Sequence, residues 1–468
     1  MTREIGCRSM ITGSASTEKQ TLELTVSGLA FRGHGIARAS DGQVVFLPYA
    51  VPGDVVRARI VESKGDYLRG AIEQIEKPSA DRVTPPCRHF GRCGGCQWLH
   101  LRDEAQLHWK AEILRDQLAR LGGFRGVPLG PLVRPTDGLG YRTRAQLQVR
   151  EFEGWYEFGF FAPASHRVVP VGTCPLLHPM LNEILEALAR QRTPPLTKLV
   201  PSLHEVWLLA SPRSNQSLLT LMGRPVDRAS LRHLFFVLRE KVPHVAGLLL
   251  MGTKGTARGE AGRAESSPGF LNRFGDGHVI MQAGGLRFRV DASSFFQPSE
   301  AAAEALIQLV LEMAALEGNE RVVDLYCGVG TFTVPLAQRA ATVIGVEGNP
   351  RAARDAEFNL RLAGVGEKAR VLRMPVSRAL ETRKLGDGAD IVVVDPPRLG
   401  LERAVLEGIA ALQPRQIIYV SCDPSTLARD LKRLVQRGYE LKQVRPLDLF
   451  PQTYHIESIT LLECPVQA

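Results

Sequence analysis

The sequence predicts a multidomain protein with a small N-terminal β-barrel, a mixed α/β central domain and a C-terminal doubly wound α/β domain. Its 468 residues are too many for one hydrophobic core. The first part of the chain alternates short apolar segments with glycine turns, and the last part alternates predicted strands with helices. We place the three domains at residues 20–78, 79–285 and 286–468.

The barrel is predicted from three short strand-like segments, Leu22–Val26, Val44–Leu47 and Val55–Ile60. Glycines and Pro52-Gly53 separate these segments, which is typical of a small antiparallel barrel. Residues 21–77 contain seven basic and seven acidic side chains, so this domain carries no net charge.

In the central domain, the segment Arg88–Trp98 is rich in Gly and Cys, so we expect it to form no regular helix or strand. Glu104–Leu121 has helical periodicity and is predicted to be a helix. A mixed α/β stretch follows to about Gly252. The Gly-, Ala- and Ser-rich segment Thr253–Gly269 predicts a flexible surface loop or insertion.

The net charge of the chain is +9, which indicates either a polyanionic partner or an uneven surface without function. Residues 78–175 contribute to the excess, with thirteen basic against nine acidic side chains, and any RNA or DNA phosphates should bind there. No apolar run approaches the ~20 residues of a membrane helix. Met1–Gln20 lacks a signal-peptide pattern and is expected to be a disordered lead-in, so we expect a cytoplasmic protein.

The C-terminal domain contains three apolar strands that end in chemically active residue types. Arg321–Val323 leads into Asp324, Ile391–Val394 leads into Asp395, and Ile417–Val420 leads into Ser421-Cys422. Ser299–Leu316 is the first predicted helix of this domain. Parallel strands bring their carboxyl ends to one edge of a sheet, so this edge is the predicted reaction centre.

A ligand site is predicted where Asp324 is followed by the glycine turn of Gly328 and Gly330. Glycine lets a ligand approach the backbone closely. Glu347 ends the next strand, nineteen residues after Gly328, where a carboxylate can bind both ribose hydroxyls of a nucleoside. The third glycine of a dinucleotide motif is missing, which favours S-adenosylmethionine. NAD and a purely structural turn remain open alternatives.

Cys422 is the candidate nucleophile, although most cysteines in strands are small buried hydrophobes. It lies beyond the last apolar residue of its strand, just before a predicted helix start at Ser425. A helix N-terminus lowers the pKa of a thiol, so we expect an activated thiolate suited to covalent catalysis.

The neighbouring motif narrows the predicted target to C5 of uracil. Amino-group methylation of adenine commonly uses an aromatic residue where this chain has Arg398 in Asp395–Arg398. C5 methylation of cytosine in RNA usually needs a second cysteine after the loop proline, and none is present there. Proton removal from C5 then requires another base, for which Glu457 is the candidate.

Four other cysteines suggest a metal site, since disulfides are not expected in a cytosolic protein. They are Cys87, Cys93 and Cys96 in the glycine-rich segment and Cys174 downstream. Structural zinc, an iron–sulfur cluster and unrelated buried thiols all remain open from the spacing. His89 and His100 lie beside these cysteines. They could be additional ligands, but we expect them to be surface residues. Cys7, Cys327 and Cys464 are interpreted as non-ligands.

The C-terminal part resembles the RNA uracil-C5 methyltransferase family, and the N-terminal segment Thr21–Lys77 resembles the TRAM module, an OB-like RNA-binding barrel. The TRAM resemblance includes Gly33-His34-Gly35 and Leu47–Asp54. The stretches that carry the methyltransferase resemblance are Phe295–Pro298, Asp324–Gly330, Asp395–Leu401, Ser421–Asp430 and Phe450–Glu457. The resemblance spans nearly the whole chain and implies a Rossmann-like catalytic domain.

By this resemblance, Cys422 is the nucleophile and Glu457 the general base. The positions that match contacts to the methyl donor are Gln297, Tyr326, Gly328, Gly330, Thr331, Glu347 and Asp395. The chain departs from the family pattern at three places. Asp423 replaces the usual Asn after the catalytic cysteine, Thr331 stands at a polar donor contact of the glycine turn, and the contact to the adenine of the donor falls near Met374-Pro375.

The cysteine spacing resembles that of family members with a [4Fe–4S] cluster, which implies that Cys87, Cys93, Cys96 and Cys174 are its ligands. Members that combine TRAM and cluster act on 23S ribosomal RNA, so 23S rRNA is the expected substrate and tRNA the nearest alternative. We expect a monomer without membrane attachment. A rival from another class is a noncatalytic iron–sulfur RNA-binding protein, which would predict a disabled donor pocket.

Overall fold

The computed structural model describes residues 20–152, 155–190, 196–252 and 269–465. The chain divides into two compact units, Met1–Arg82 and Val83–Ala468. The predicted lead-in before residue 20 and most of the predicted insertion, residues 253–268, lie outside the described residues. Among the helices of the described ranges, none has both the length and the apolar character needed to cross a membrane.

The first unit contains a closed five-stranded barrel, with neighbours in the order β1-β2-β3-β5-β4. Its strands are β1 (Thr21–Leu29), β2 (Gly35–Arg38), β3 (Val44–Leu47), β4 (Val55–Lys64) and β5 (Tyr67–Lys77). The predicted barrel is therefore confirmed. The expectation of a wholly antiparallel barrel is wrong in one pairing, because β5 returns beside β3 in the same direction.

Alternating side chains fill the barrel, as the period of two in a strand requires. Leu24, Val45, Leu47 and Val56 are almost completely buried. Gly35 has a packing reason, because a Cβ at this position would lie 2.6 Å from the Cβ of Ala50. The predicted glycine motif thus permits β2 to approach the turn after β3 closely.

The second unit begins with the Gly- and Cys-rich segment and then the helix α1 (Asp103–Gln117), which continues as a π-helical turn at Leu118–Gly122. A seven-stranded sheet of order β12-β11-β10-β9-β6-β7-β8 follows. Its elements in chain order are β6 (Arg144–Phe152), β7 (Trp155–Phe161), β8 (Val168–Pro170), α2 (Pro179–Arg190), α3 (Leu196–Leu199), β9 (Leu203–Ser211), β10 (Gln216–Gly223), α4 (Arg228–Lys241), β11 (Val245–Gly252) and β12 (Gly269–Gly275).

The two faces of this sheet belong to two different hydrophobic cores. On one face Leu208, Leu219 and Leu248 pack with α2 and α4. The residues that alternate with them, including Leu209 and Leu218, pack in the core of the C-terminal half. The central sheet and the C-terminal half therefore share a core within the second unit.

The C-terminal half contains a second seven-stranded sheet, of order β17-β16-β15-β18-β19-β21-β20. The first five strands in this order are parallel, and β21 runs antiparallel to both of its neighbours. Its elements, with the hairpin that precedes them, are β13 (His278–Ala283), β14 (Leu286–Asp291), α5 (Glu300–Ala314), β15 (Arg321–Leu325), α6 (Thr333–Arg339), β16 (Thr342–Glu347), α7 (Pro350–Leu362), β17 (Ala369–Arg373), α8 (Val376–Glu381), β18 (Ile391–Val394), α9 (Arg403–Ala411), β19 (Gln416–Ser421), α10 (Pro424–Val435), β20 (Glu440–Leu447) and β21 (Glu457–Glu463).

The predicted doubly wound sheet is therefore confirmed, and so is its first helix. Ser299 caps α5, because its side chain accepts a hydrogen bond from the backbone N–H of Ala302 at 3.0 Å. Leu306, Val310 and Met313, whose spacing predicted the helix, are buried. The helix predicted over Glu104–Leu121 is also present as α1 and its π-helical extension.

Candidate active site

The predicted ligand turn follows β15 at the carboxyl edge of the sheet. Tyr326, Gly328 and Gly330 all adopt positive φ, at 64°, 55° and 85°. The backbone N–H of Gly328 donates a hydrogen bond to Oε2 of Glu347 at 2.9 Å. The predicted glycine turn and the predicted acidic residue at the end of β16 are thus in direct contact. Apart from its two chain neighbours, no described residue has a heavy atom within 4 Å of where a Cβ of Gly328 would stand, so the backbone there is open to a ligand.

Two carboxyl groups lie at the ends of the central strands of this sheet. Burial raises the pKa of Asp324 and of Asp395 to about 7 each, and the Asp395 carboxyl also raises the pKa of Asp324. The hydroxyl of Thr333 donates a hydrogen bond to Oδ2 of Asp324 at 2.6 Å. Thr333 was not predicted as a site residue, although its place two residues after the glycine turn could have indicated it.

The two predicted catalytic side chains lie where two antiparallel strands meet the edge of the sheet. Ser421 at the end of β19 is paired with Ser458 in β21. Cys422 directly follows β19 and Glu457 is the first residue of β21, and the carboxyl groups of Glu457 and Asp395 both act on the Cys422 thiol. Glu457 is buried and Cys422 is partly buried. These residues, Asp395, Cys422 and Glu457, form what we call the catalytic edge.

The expectation that Cys422 has a lowered pKa is wrong for the ligand-free protein. Burial, followed by the carboxyl groups of Glu457 and Asp395, raises the pKa of the Cys422 thiol to about 12. The N-terminus of α10 does not compensate, because its N–H groups at Ser425 and Thr426 donate to Oδ1 of Asp423 at 2.9 and 3.1 Å. Asp423 therefore acts as a helix cap, a task that Asn performs equally well.

Burial and then the Asp395 carboxyl also raise the pKa of Glu457 well above its ordinary value. Arg398 counteracts these effects, since its positive charge lowers the pKa of both Cys422 and Glu457. A guanidinium nitrogen of Arg398 lies 3.3 Å from Nε2 of His455. Burial, and then Arg398, lower the pKa of His455 to about 3, so this ring is neutral.

Two large apolar side chains beside these motifs are exposed to solvent. Phe295, two residues before Gln297, is 63% exposed, and Leu399, directly after Arg398, is 83% exposed. Gln297 itself is buried. The loop around Leu399 is held in place, because the N–H of Leu401 donates to Oδ2 of Asp430 at 2.7 Å.

A buried polar network supports the segment that precedes Glu457, and sequence reasoning missed it. Nζ of Lys110 in α1 lies 2.5 Å from Oδ1 of Asp448, and both side chains are fully buried. Arg134 also pairs with Asp448 at 3.0 Å. The backbone N–H groups of Gln97 and Trp98 donate to the carbonyl of Gln452 at 3.1 and 3.0 Å. These contacts join the Gly- and Cys-rich segment to the catalytic segment.

The four candidate metal ligands line one cavity of about 490 Å³, which we call the cysteine cavity. Its wall includes Cys87, Cys93, Cys96, Cys174, Arg142, Phe295 and Phe450. All four thiols are free, and burial is the main cause that raises the pKa of Cys93, Cys96 and Cys174. The guanidinium of Arg142 lowers the pKa of Cys96 and Cys174.

Among the described residues, no group of three or more His, Cys, Asp or Glu side chains is arranged to hold a single metal ion. His89 lines the cysteine cavity. The expectation that His100 is a surface residue is wrong, because it is only 2% exposed and packs against the ring of Phe90 at 5.1 Å between centroids.

Comparison with known families matches both parts of the chain. Residues 15–72 match the TRAM domain, and residues 274–464 match the family described as tRNA (Uracil-5-)-methyltransferase. An uncharacterized RNA methyltransferase of Gloeobacter violaceus is 36% identical, over 96% of this chain and 98% of that protein. Another from Aquifex aeolicus is 34% identical, over 94% of this chain and 98% of that protein.

Among solved structures, the Pyrococcus abyssi tRNA (uracil-54, C5)-methyltransferase in complex with S-adenosyl-L-homocysteine has a similar fold. Its TM-score is 0.72 at 23% identity, over 94% of this chain and all of that one. The match with the Gloeobacter violaceus relative extends over almost the entire length of that protein. The catalytic edge lies inside the C-terminal region that matches the methyltransferase family. The chain therefore belongs to the RNA methyltransferase family, with an N-terminal TRAM domain and a C-terminal domain of the RNA uracil-5-methyltransferase type.

Proposed function

We propose that the protein transfers a methyl group from S-adenosylmethionine to C5 of a specific uridine in 23S rRNA. The observation that supports this proposal is that Cys422, directly after β19, is close enough to Glu457 at the start of β21 and to Asp395 for both carboxyl groups to act on its thiol. A nucleophile and a base held at the ends of adjacent strands suit a reaction that needs both at one pyrimidine ring.

The donor would be held at the glycine turn and the strand ends around it. The proposed contacts are Gln297, Tyr326, Gly328, Gly330, Thr331, Glu347 and Asp395. The open backbone at Gly328 supports this assignment, as does the Glu347 carboxylate, which already contacts the turn and suits a ribose. When bound, S-adenosylmethionine supplies an electrophilic methyl group on a sulfonium.

The reaction of the protein's own residues follows from the polarity of uracil. The Cys422 thiolate adds to C6, which gives an enolate with a nucleophilic C5. This carbon then takes the methyl group as the sulfur–methyl bond of the sulfonium breaks, and a neutral thioether is left. Glu457 then removes the C5 proton, and breakage of the Cys422–C6 bond releases 5-methyluridine. The uridine must leave its stack to reach this edge, which costs roughly a few kcal/mol. The exposed side chains of Phe295 and Leu399 are available to contact the extruded base.

We further propose that Cys87, Cys93, Cys96 and Cys174 hold a [4Fe–4S] cluster in a structural or RNA-positioning role. Four free thiols around one cavity of about 490 Å³ fit such a group. Cys87, Cys93, Cys96 and Cys174 would hold such a cluster through their thiolates, which are the usual ligands of iron–sulfur clusters. The irons would supply the positive charge that buried thiolates need.

The test is a methyl-transfer assay with S-adenosylmethionine and unmodified 23S rRNA or tRNA, followed by mass spectrometry of digested nucleosides. 5-Methyluridine from 23S rRNA alone is the expected result. The same product from tRNA alone would overturn the substrate while keeping the chemistry, and the family of the C-terminal match makes tRNA the alternative to include. Failure with both RNAs, with the cluster intact, would favour a noncatalytic RNA-binding protein.

We propose that the enzyme works as a monomer, since one chain supplies every assigned residue.

A further inference from the structure

A second cavity, of about 540 Å³, lies in the second unit between the edge strand β12, the hairpin strand β14 and the helix α7. Four arginines line it, and we call it the arginine groove. Its charged residues are Arg273, Arg289, Asp291, Arg351, Arg354 and Asp355. No residue assigned above to the methyl donor, to the catalytic edge or to the cysteine cavity takes part in it.

Two of the four arginines are neutralised within the groove. Nε of Arg289 lies 3.4 Å from Oδ1 of Asp355, and a guanidinium nitrogen of Arg351 lies 3.7 Å from Oδ1 of Asp291. Arg273 and Arg354 are exposed, and their side chains have no ion-pair or hydrogen-bond partner in the part of the chain that the structure describes. The groove therefore presents two uncompensated guanidinium groups to solvent, which suits an anion with more than one charge.

The rim of the groove is apolar as well as basic. Phe270 and Leu271, which precede Arg273 in β12, are 46% and 41% exposed. Arginines beside an exposed aromatic ring match the chemistry of single-stranded nucleic acid, in which phosphates alternate with unstacked bases. A free phosphate or a small dicarboxylate would not use the apolar rim.

The groove is joined by hydrogen bonds to the segment that precedes the donor motif. Oδ2 of Asp355 accepts hydrogen bonds from the N–H of Asp291 and from the hydroxyl of Ser294, both at 2.8 Å. The next residue is Phe295, which is 63% exposed beside Gln297. The arginine groove is therefore attached, through Asp355, to the chain segment that carries the proposed donor contact Gln297.

From these observations we propose that the arginine groove binds the phosphodiester backbone of the RNA substrate, on one side of the target uridine. This inference rests on the proposed RNA substrate and adds a binding site to it. Arg273 and Arg354 contact phosphates, and Phe270 contacts a base. Arg289 and Arg351 hold the groove in shape through their aspartate partners.

The test measures how strongly salt weakens RNA binding, because each phosphate contact releases a counterion. The Arg273→Ala/Arg354→Ala double variant and the unaltered protein are titrated with a labelled rRNA fragment, without methyl donor, over a series of KCl concentrations. We expect the slope of log K against log [salt] to fall in magnitude by about 1.4 for two lost contacts to a single strand. In methyl transfer, the loss should appear in KM for RNA rather than in kcat.

Two controls separate lost contacts from lost folding. The Arg273→Lys/Arg354→Lys double variant keeps both charges and should retain the slope. The Arg190→Ala/Arg403→Ala double variant removes two arginines that are 77% and 84% exposed outside the groove, and it should also retain the slope. An unchanged slope in the Arg273→Ala/Arg354→Ala variant overturns the inference even if the protein methylates RNA. A reduced slope together with no 5-methyluridine supports the groove and overturns the proposed reaction instead.

Discussion

The catalytic edge and the cysteine cavity both contain thiols whose pKa is raised by burial, but their surroundings differ. Cys422 faces the carboxyl groups of Glu457 and Asp395, with Arg398 as the opposing charge. Cys96 and Cys174 face other thiols and Arg142. In the functions proposed above, the Cys422 thiolate forms only when the substrate binds, whereas the thiols of the cysteine cavity bind a resident cluster. Under these proposals the same burial serves turnover at one site and permanent ligation at the other.

Removal of the Cys422 thiol should have the largest effect of any single change. If Cys422 forms the covalent bond to C6, Cys422→Ala lowers 5-methyluridine formation by about 10³-fold or more while RNA binding remains. The measurement is single-turnover methyl transfer alongside RNA binding. Cys464→Ala, which removes an exposed thiol outside both sites, is the matched control.

A second variant distinguishes the two catalytic residues. Glu457→Gln keeps the nucleophile but removes the base, so a methylated RNA–protein adduct should accumulate and migrate slowly in denaturing gels. Substantial residual methylation by Cys422→Ala, or the absence of any adduct with Glu457→Gln, would contradict the covalent mechanism.

Loss of one thiol of the cysteine cavity should reduce the rate of methyl transfer less than loss of Cys422 does, but it should remove the bound cluster. Cys174→Ser is expected to lose the visible absorbance, iron and sulfide of a cluster, because one of four ligands is gone. Methyl transfer should fall by less than in Cys422→Ala, since no step of the reaction needs an electron. Iron and sulfide analysis after anaerobic purification checks this, and a colourless protein loaded with zinc would refute the cluster.

The raised pKa of Asp395 predicts that its carboxyl group lowers the stability of the fold at neutral pH, although the same group is a proposed contact of the methyl donor. Between pH 4 and pH 7 the folded state keeps this proton while the unfolded state loses it, so the free energy of unfolding falls as pH rises. Asp395→Asn removes that penalty and should be more stable than the unaltered protein at pH 8. We expect the free energy of unfolding to increase by on the order of 1–3 kcal/mol in this variant. This is less than the full pKa shift of Asp395 would give, because the side chain is partly exposed.

Thermal unfolding at several pH values measures this difference. The difference between the two proteins should shrink as pH falls below 4, because the carboxyl group then becomes protonated in the unfolded state as well. The same variant should bind S-adenosylmethionine more weakly. A difference in stability that does not change with pH would show that Asp395 is not the group responsible.

The residue after the catalytic cysteine should give the smallest effect. Asp423→Asn keeps a side-chain oxygen for the N–H groups of Ser425 and Thr426, so the free energy of unfolding should change by less than about 0.5 kcal/mol. Asp423→Ala removes the cap and should cost about 1 kcal/mol. Equal losses in both variants, measured by denaturant unfolding, would show that the charge rather than the cap is what stabilises α10.

Much of the site could be predicted because its residues follow local patterns. The glycine turn, Glu347 and the ends of β15, β18 and β19 are each visible in a few adjacent residues. The raised pKa of Cys422 could not be predicted in this way. It depends on Glu457, which comes from a strand 35 positions further along the chain, and on Asp423, which takes up the helix N-terminus.

By itself, the sequence determined the barrel, the parallel sheet and the types of residue at the strand ends. Apolar alternation, helical periodicity and glycine turns are properties of neighbouring residues, so they are readable without a structure. Only the tertiary structure decided that Lys110 pairs with Asp448, 338 positions away, and that the central and C-terminal sheets share a core. The arginine groove also depends on the tertiary structure, because it forms only when β12, β14 and α7 pack together.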